Sequence, residues 1–548
     1  MKLVVIGAVA AGTSAAAKAR RNDEDANIVI YEKDFDISYS GCGMPYFLGG
    51  MIDDANLLTP RDPKYFKDKY NIDIYVGHEV LEVYTKDKTL KVKNLNTGDE
   101  FLDTYDKLIF ATGASAFLPK IEGNNLPHVF SLRNIKNMHQ IHNYIQSNNV
   151  KSVSVVGSGF IGLELTENFR EIGLDVVVIE KNSQVSPGLD SDMASHVEKE
   201  LLKNGVRVLK NSEVTKINEN EIIVNNHSKI ESQMVILATG VKPNVNLALK
   251  AGVKTGDLGG ILVDEKMQTN LDDIYACGDC IEHYHLLLNK NVYRPLGSTA
   301  NKTGRIAGHN ASGGNMTFKG VLGTSIYKIF DLSVAQTGLT EKDAINEKYD
   351  FIVSHNIKPN KPEYFGGKEM VIKAIADKNT GRILGAQIIG YEGVDKRIDV
   401  FVTAITLGAT AENLVDLDLA YAPPFATTKD PVMYTGMILT NALKHERKQL
   451  TPSEVLKIIE SNNNYTIIDT RVPKQYEAGH IKNAINIPHQ ELRDKLHTLD
   501  KESIIITYCN KGVTGNATQN ILINHNFKNV YSIAGGYKTF KNFIENKK

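Results

Sequence analysis

Ser152-Val153-Ser154-Val155-Val156-Gly157-Ser158-Gly159-Phe160-Ile161-Gly162-Leu163-Glu164 reads as an apolar strand, a turn with three glycines and the start of a helix. Residues 175–179 form the next apolar run, and Glu180 follows it. Strand, G-x-G-x-x-G, helix, strand and terminal acid at this spacing make a βαβ unit for a dinucleotide. Glycine lets the backbone approach a pyrophosphate at the helix N-terminus, and the acid accepts from a ribose hydroxyl. Gly157, Gly159, Gly162 and Glu180 are therefore candidate cofactor-binding residues. A carboxylate at 180 would repel a 2′-phosphate and favour NADH over NADPH, with the adjacent Lys181 acting against it.

The same layout stands at the start of the chain. Residues 2–6 are an apolar strand, Gly7-Ala8-Val9-Ala10-Ala11-Gly12 is the turn, and an Ala-rich helix runs to about Arg21. A second strand at 27–31 ends at Glu32. Val9 stands in place of the middle glycine, so Gly7, Gly12 and Glu32 carry this motif. A strand running into Ala-Thr-Gly occurs twice, ending at Thr112-Gly113 and at Thr239-Gly240. Two dinucleotide units in one chain suggest a flavin and a nicotinamide. Ile274-Tyr275-Ala276-Cys277-Gly278-Asp279 supports FAD, because an Asp after a strand and a glycine can take a ribityl hydroxyl. Cys277 and Cys280 also form a C-x-x-C pair, although without the strand-then-helix setting of thioredoxin-like dithiols.

Just past the first βαβ unit lies Ser38-Tyr39-Ser40-Gly41-Cys42-Gly43-Met44-Pro45-Tyr46. Cys42 has no second cysteine within a turn or two. A lone thiol beside a cofactor site points to a mixed disulfide, a persulfide or a sulfenic acid. The four cysteines of this 548-residue chain make no disulfide framework. A formal net charge of -1 argues against a general nucleic-acid or membrane-surface role. No apolar run approaches the roughly 20 residues that span a bilayer. The opening apolar residues read as a first strand rather than a signal segment, so the cytoplasm is the expected location. No metal-ligand set is recognised.

Residues 441–452, with His445-Glu446-Arg447-Lys448-Gln449, read as a polar, basic linker. Beyond it, a strand ends in Asp469-Thr470-Arg471. Another, 503–508, leads to Cys509-Asn510-Lys511-Gly512-Val513-Thr514-Gly515 and a helix. That order puts a thiolate at the positive end of a helix, where loop N–H groups can cradle a persulfide anion.

Over roughly residues 1–440 the motifs resemble the flavoprotein disulfide reductases with two dinucleotide-binding domains. Ser-x-x-x-Cys-Gly-Met-Pro-Tyr is similar to the single-cysteine, coenzyme A-disulfide-reducing branch. The resemblance implies that Cys42 cycles between a thiol and a mixed disulfide with coenzyme A. It places Ser14, Lys18, Arg21 and Ser38 at positions that hold coenzyme A. Tyr421, in Tyr-Ala-Pro-Pro-Phe, would reach across a homodimer to the redox cysteine as a proton donor, with Tyr364 as a second such tyrosine and Lys429 meeting a substrate phosphate. Asp-x-Arg, Gly-His-Ile and Asn-Ile-Pro at 453–548 resemble a rhodanese domain, with Cys509 as the sulfur carrier. Many rhodanese loops have arginine where Thr514 stands, so persulfide stabilisation would rest on backbone amides and Lys511.

The expected fold is α/β. An FAD-binding domain covers 1–115 and 245–325, an NAD(P)H-binding domain 116–244, an α+β dimerisation domain 326–440 and an α/β rhodanese domain 453–548. The expected activity is reduction of small-molecule disulfides, persulfides or polysulfide by NADH through FAD and Cys42. Two rivals are an NADH oxidase or peroxidase using a Cys42 sulfenic acid, and a redox-sensing protein whose rhodanese domain only docks.

Overall fold

The computed structural model describes residues 1–461 and 464–545, so residues 462–463 and 546–548 of the expected rhodanese span lie outside the described residues. The chain forms two compact units, Met1–Lys181 with Ser212–Val321, and Asn182–Asn211 with Leu322–Lys548.

The first unit holds two parallel sheets. In one, the strands run Ile274–Ala276, Lys107–Phe110, Lys2–Ile6, Asn27–Glu32, Ile72–Val76. Leu3, Val4, Val5, Ile28 and Ile30 are essentially inaccessible, the near-continuous apolar pattern of strands covered on both faces. In the other, Asp175–Ile179, Ser152–Val156, Met234–Leu237 and Val129–Phe130 lie side by side in parallel. Ala114–Ala116 and Val241–Pro243 pair antiparallel where the chain crosses between the two sheets. Both glycine turns need their third glycine. A Cβ on Gly12 would stand 1.8 Å from Gly7 O, and one on Gly162 2.1 Å from Gly157 O.

The second unit holds an antiparallel sheet ordered Ser325–Ile329, Leu332–Gly338, Ile383–Gly390, Glu369–Asp377, Phe351–Pro359. Helices Val394–Thr406 and Pro431–His445 lie against it. A parallel sheet follows, ordered Gln449–Leu450, Asn529–Ile533, Ile504–Tyr508, Tyr465–Asp469, Ile485–Asn486.

Residues 441–452 are not the linker that their polarity suggests. Helix Pro431–His445 runs through the first five of them, with Ala442 buried and Lys444 and His445 at its negative end. Gln449–Leu450 is already a strand of the parallel sheet, and Gln449 Oε1 accepts from His355 N–H at 2.8 Å.

Residues 182–211, expected within 116–244, belong to the second unit. A buried ion cluster ties this segment to the antiparallel sheet. Asp190 and Asp192, at the start of helix Ser191–Lys203, converge with Glu341 on the ammonium of Lys373. Lys373 Nζ stands 3.0, 2.9 and 2.6 Å from the three carboxylates, and Asp192 also takes His355 Nε2 at 2.9 Å. The three acids have the spacing of a metal site, but what they surround is a lysine. Burial disfavours the Lys373 ammonium, yet Asp192, Asp190 and Glu341 outweigh it and hold the group charged. Burial beside Asp192 and Asp190 pushes the Glu341 carboxyl up.

Removing one partner from such a cluster strands the others. Lys373→Met should cost about 3–5 kcal/mol, read from the urea midpoint of unfolding. An unchanged midpoint would show that the carboxylates simply take up protons.

Candidate active site

The first glycine turn opens into a cavity of ≈ 510 Å³ in the first unit, lined among others by Gly7, Glu32, Thr112, Gly113, Arg133 and Asp279. Glu32 closes the βαβ unit from the far strand. Its Oε2 accepts from Ala8 N–H at 2.7 Å and its Oε1 from Asp34 N–H at 2.9 Å. Burial nonetheless pushes its carboxyl up. Thr112 is held by its hydroxyl to Asn244 O at 2.6 Å. Asp279 Oδ2 takes the Arg133 guanidinium at 2.9 Å, and Arg133 Nε donates to Ala114 O at 2.7 Å. Gly278, with φ +79, donates its N–H to Thr303 Oγ1 at 3.0 Å. Volume, helix N-terminus and acceptor set fit a flavin dinucleotide.

The second turn repeats the geometry. Glu180 Oε2 accepts from Ser158 N–H at 3.0 Å and from Ser158 Oγ at 2.6 Å. Gly157 has φ +102, and a Cβ on Gly159 would meet nothing within 4 Å, so this face of the turn is open to a ligand. Gly240, with φ +106, lies just past Met234–Leu237.

Cys42 sits in the single turn Gly41–Gly43, directly before helix Met44–Leu48, and is exposed. A Cβ on Gly43 would stand 2.4 Å from Leu58, so that position is set by packing. Partial burial pushes the Cys42 thiol up. Glu164 and Asp279 push it further, and only Arg133 opposes them. On balance the surrounding chain disfavours the Cys42 thiolate. Arg133 and Asp279 line the flavin cavity together with Tyr39, three residues before Cys42, and both charges act on the Cys42 sulfur.

Two of these charges carry no signal in the sequence. Arg133 lies in no motif and is placed by the fold. Glu164, two residues after the third glycine, is pushed up to about 7 by burial and by Glu167. It also acts on Tyr46, which burial raises to about 12.

Ser14, Lys18 and Arg21 share one stripe of helix Ala10–Asn22. Ser14 Oγ donates to Asn301 Oδ1 at 2.6 Å, Lys18 Nζ to Asn22 Oδ1 at 3.2 Å, and the Arg21 guanidinium stands 5.7 Å from the Tyr70 ring centroid. Arg20, between them, is buried and donates to the carbonyls of Tyr70, Asn71 and Ala26, so it is structural. Ser38 has φ +49 and its N–H reaches Ala8 O at 2.9 Å. Cys277 and Cys280 are buried thiols whose burial pushes both up, and Cys280 Sγ donates to Cys277 O at 3.2 Å. Both sit in the core of the first unit, where free cysteines pack as small apolar side chains.

In the second unit Tyr364 is 76 % and Tyr421 47 % exposed. Tyr421 and Phe425 line a cavity of ≈ 500 Å³ with Lys361 and Arg397, the last paired with Asp430 at 2.9 Å. Lys429 is exposed.

Cys509 follows strand Ile504–Tyr508 and is nearly buried; Gly512, with φ +95, caps helix Val513–Asn524. Cys509 O accepts from Tyr537 N–H at 2.8 Å. The Asp469–Arg471 pair is a buried clamp, with Arg471 Nη2 2.6 Å from Asp469 and 2.7 Å from Gly479 O. Lys511, expected to steady a persulfide, is instead ion-paired with Glu369.

Residues 1–302 match the model of the pyridine nucleotide-disulphide oxidoreductases, and residues 324–431 match the dimerisation domain of that family. The chain belongs to this family. Residues 451–543 match a rhodanese-like domain. An NADH oxidase of Methanocaldococcus jannaschii is 38% identical over 440 residues, 79% of this chain and 97% of that protein. The NAD(P)H sulfur oxidoreductase (CoA-dependent) of Pyrococcus furiosus is 37% identical over 442 residues, 80% of this chain and 99% of that protein. The crystal structure of reduced Bacillus anthracis CoADR-RHD superposes with a TM-score of 0.96 at 35% identity, covering 100% of this chain and 98% of that one.

Glu164→Gln removes a like charge from the Cys42 thiol. The pH midpoint of Cys42 alkylation by iodoacetamide in the reduced enzyme should fall by roughly half a unit. An unshifted profile would show that Glu164 does not act on the sulfur.

Proposed function

We propose that this flavoenzyme reduces coenzyme A disulfide and coenzyme A persulfide or polysulfide, with Cys42 as its redox thiol and NADH as the electron source. The observation that carries the reading is the lone exposed Cys42 thiol, three residues after Tyr39, which lines the flavin cavity together with Asp279 and Arg133. When bound, FAD and the nicotinamide supply the hydride chemistry. The chain supplies the sulfur chemistry. Cys42 attacks a substrate S–S bond, keeps one sulfur as a mixed disulfide and releases the other half as a thiol. Two electrons then cleave the mixed disulfide and regenerate Cys42.

Ser14, Lys18, Arg21 and Ser38 would hold coenzyme A; the basic residues Lys18 and Arg21 suit its phosphates. Tyr421 and Tyr364 are exposed phenols on the dimerisation domain, and they would protonate leaving thiolates across a homodimer, with Lys429 meeting a phosphate. Cys509 would carry sulfane sulfur. The Glu180 carboxylate, already fixed by Ser158, would exclude a 2′-phosphate. The protein would work in the cytoplasm as a homodimer; no described helix is long and apolar enough to cross a membrane. The name of the Methanocaldococcus relative keeps one other reading open, an NADH oxidase that cycles Cys42 through sulfenic acid.

The separating experiment is NADH consumption without air, with coenzyme A disulfide, coenzyme A persulfide or peroxide offered separately. The disulfide or persulfide should be turned over, and Cys42→Ser should abolish that turnover while keeping bound flavin. Turnover of peroxide alone would select the sulfenic acid reading. Under the same conditions kcat/KM should be about tenfold or more higher for NADH than for NADPH, the size of one adverse charge contact of about 1.4 kcal/mol. A preference for NADPH would refute the role given to Glu180.

A further inference from the structure

Glu369 begins strand Glu369–Asp377 of the antiparallel sheet. Its Oε1 pairs with Lys511 and its Oε2 with Lys538, both from the rhodanese domain. Burial pushes the Glu369 carboxyl up, but Lys511 and Lys538 outweigh it and keep the group ionised.

Both lysines flank Cys509. Lys511 is the second residue after it. Lys538 N–H donates to Asn510 O at 3.1 Å, next to the Tyr537 N–H that holds Cys509 O. Residues 509–515 and 534–538 contain no other cation. Arg471 is occupied, buried with Asp469 and 4.2 Å from the Tyr537 ring centroid. Thr514 brings no charge. Arg471 Nη1 also reaches Asn510 Oδ1 at 3.4 Å, but that guanidinium is bound up with Asp469, so the exchangeable cations of these two stretches are Lys511 and Lys538, both held by one carboxylate.

Two ammonium groups on one carboxylate leave a net charge of +1. The lysines are 47 % and 40 % exposed and Glu369 32 %, so each pair is weak and exchangeable. One lysine can turn to an incoming anion while the other keeps Glu369.

We propose that Lys511 and Lys538 form the anion-receiving mouth of the Cys509 site, and that Glu369 is its internal competitor. The ligands are anionic sulfane-sulfur donors: persulfide, polysulfide or thiosulfate. The inference rests on Cys509 acting as a sulfur acceptor. In that step the Cys509 thiolate attacks the outer sulfur of the donor. A Cys509 S–S bond forms as the donor S–S bond breaks, and the bonding pair leaves with the donor as a thiolate or as sulfite. No external oxidant or reductant is consumed.

The test reads charge at Cys509 without relying on sulfur transfer. In the full-length holoenzyme, alkylation of Cys509 by anionic iodoacetate and by neutral iodoacetamide is followed by mass spectrometry of the Cys509 peptide. Glu369→Gln should raise the iodoacetate-to-iodoacetamide rate ratio about threefold to tenfold, and Lys511→Gln with Lys538→Gln should lower it by a similar factor. Raising the salt to about 0.5 M should shrink both effects. An unchanged ratio in both variants overturns the proposal. So does an equal rise with both reagents in Glu369→Gln, which would mean that the loop had only opened. Thiosulfate-to-cyanide sulfur transfer is measured in parallel, with Cys509→Ala as control. A shifted ratio together with no transfer that depends on Cys509 would sustain the charged mouth and sink the sulfur-acceptor reading instead.

Discussion

One hydrogen bond recurs in both dinucleotide units, and the cofactor sites depend on it. The acid at the end of the second strand accepts from the N–H that follows the first glycine, Glu32 from Ala8 and Glu180 from Ser158. The bond ties the turn to the neighbouring strand, so the helix N-terminus cannot drift from the sheet. A backbone fixed in this way presents its remaining N–H groups to phosphate at no further ordering cost. The third glycine of each turn is required by the same closeness, because the first helical turn lies on the first glycine's carbonyl.

Burial, Glu164 and Asp279 all disfavour the Cys42 thiolate, and Arg133 alone supports it. A thiol kept protonated in the protein by itself resists adventitious oxidation. Asp279 joins cavity and thiol, since it lines the flavin cavity, pairs with Arg133 and acts on the sulfur.

The second unit is organised by carboxylates that hold lysines. The buried cluster around Lys373 binds the segment 182–211 to the antiparallel sheet. The half-exposed pairs of Glu369 reach the loop of Cys509. The first is costly to break and serves structure. The second is easily exchanged and suits a site that must admit an anion.

The sequence by itself determined the α/β architecture, both glycine turns with their acids, the lone thiol at 42 and the rhodanese loop at 509. All of these are local patterns, in which chain spacing alone brings the chemistry together. It misled where polarity stood for structure: residues 441–452 look like a linker, yet they complete a helix and start a strand, because Ala442 is buried and Gln449 pairs with His355 far along the chain. Tertiary structure alone decided what acts on the sulfurs. Arg133, Glu164 and Asp279 come from distant segments to act on Cys42, and Glu369 meets Lys511 from 142 positions away (511 − 369). Charge acts through space, so Arg133, Glu164 and Glu369, which no motif singles out, act on residues that a motif does single out.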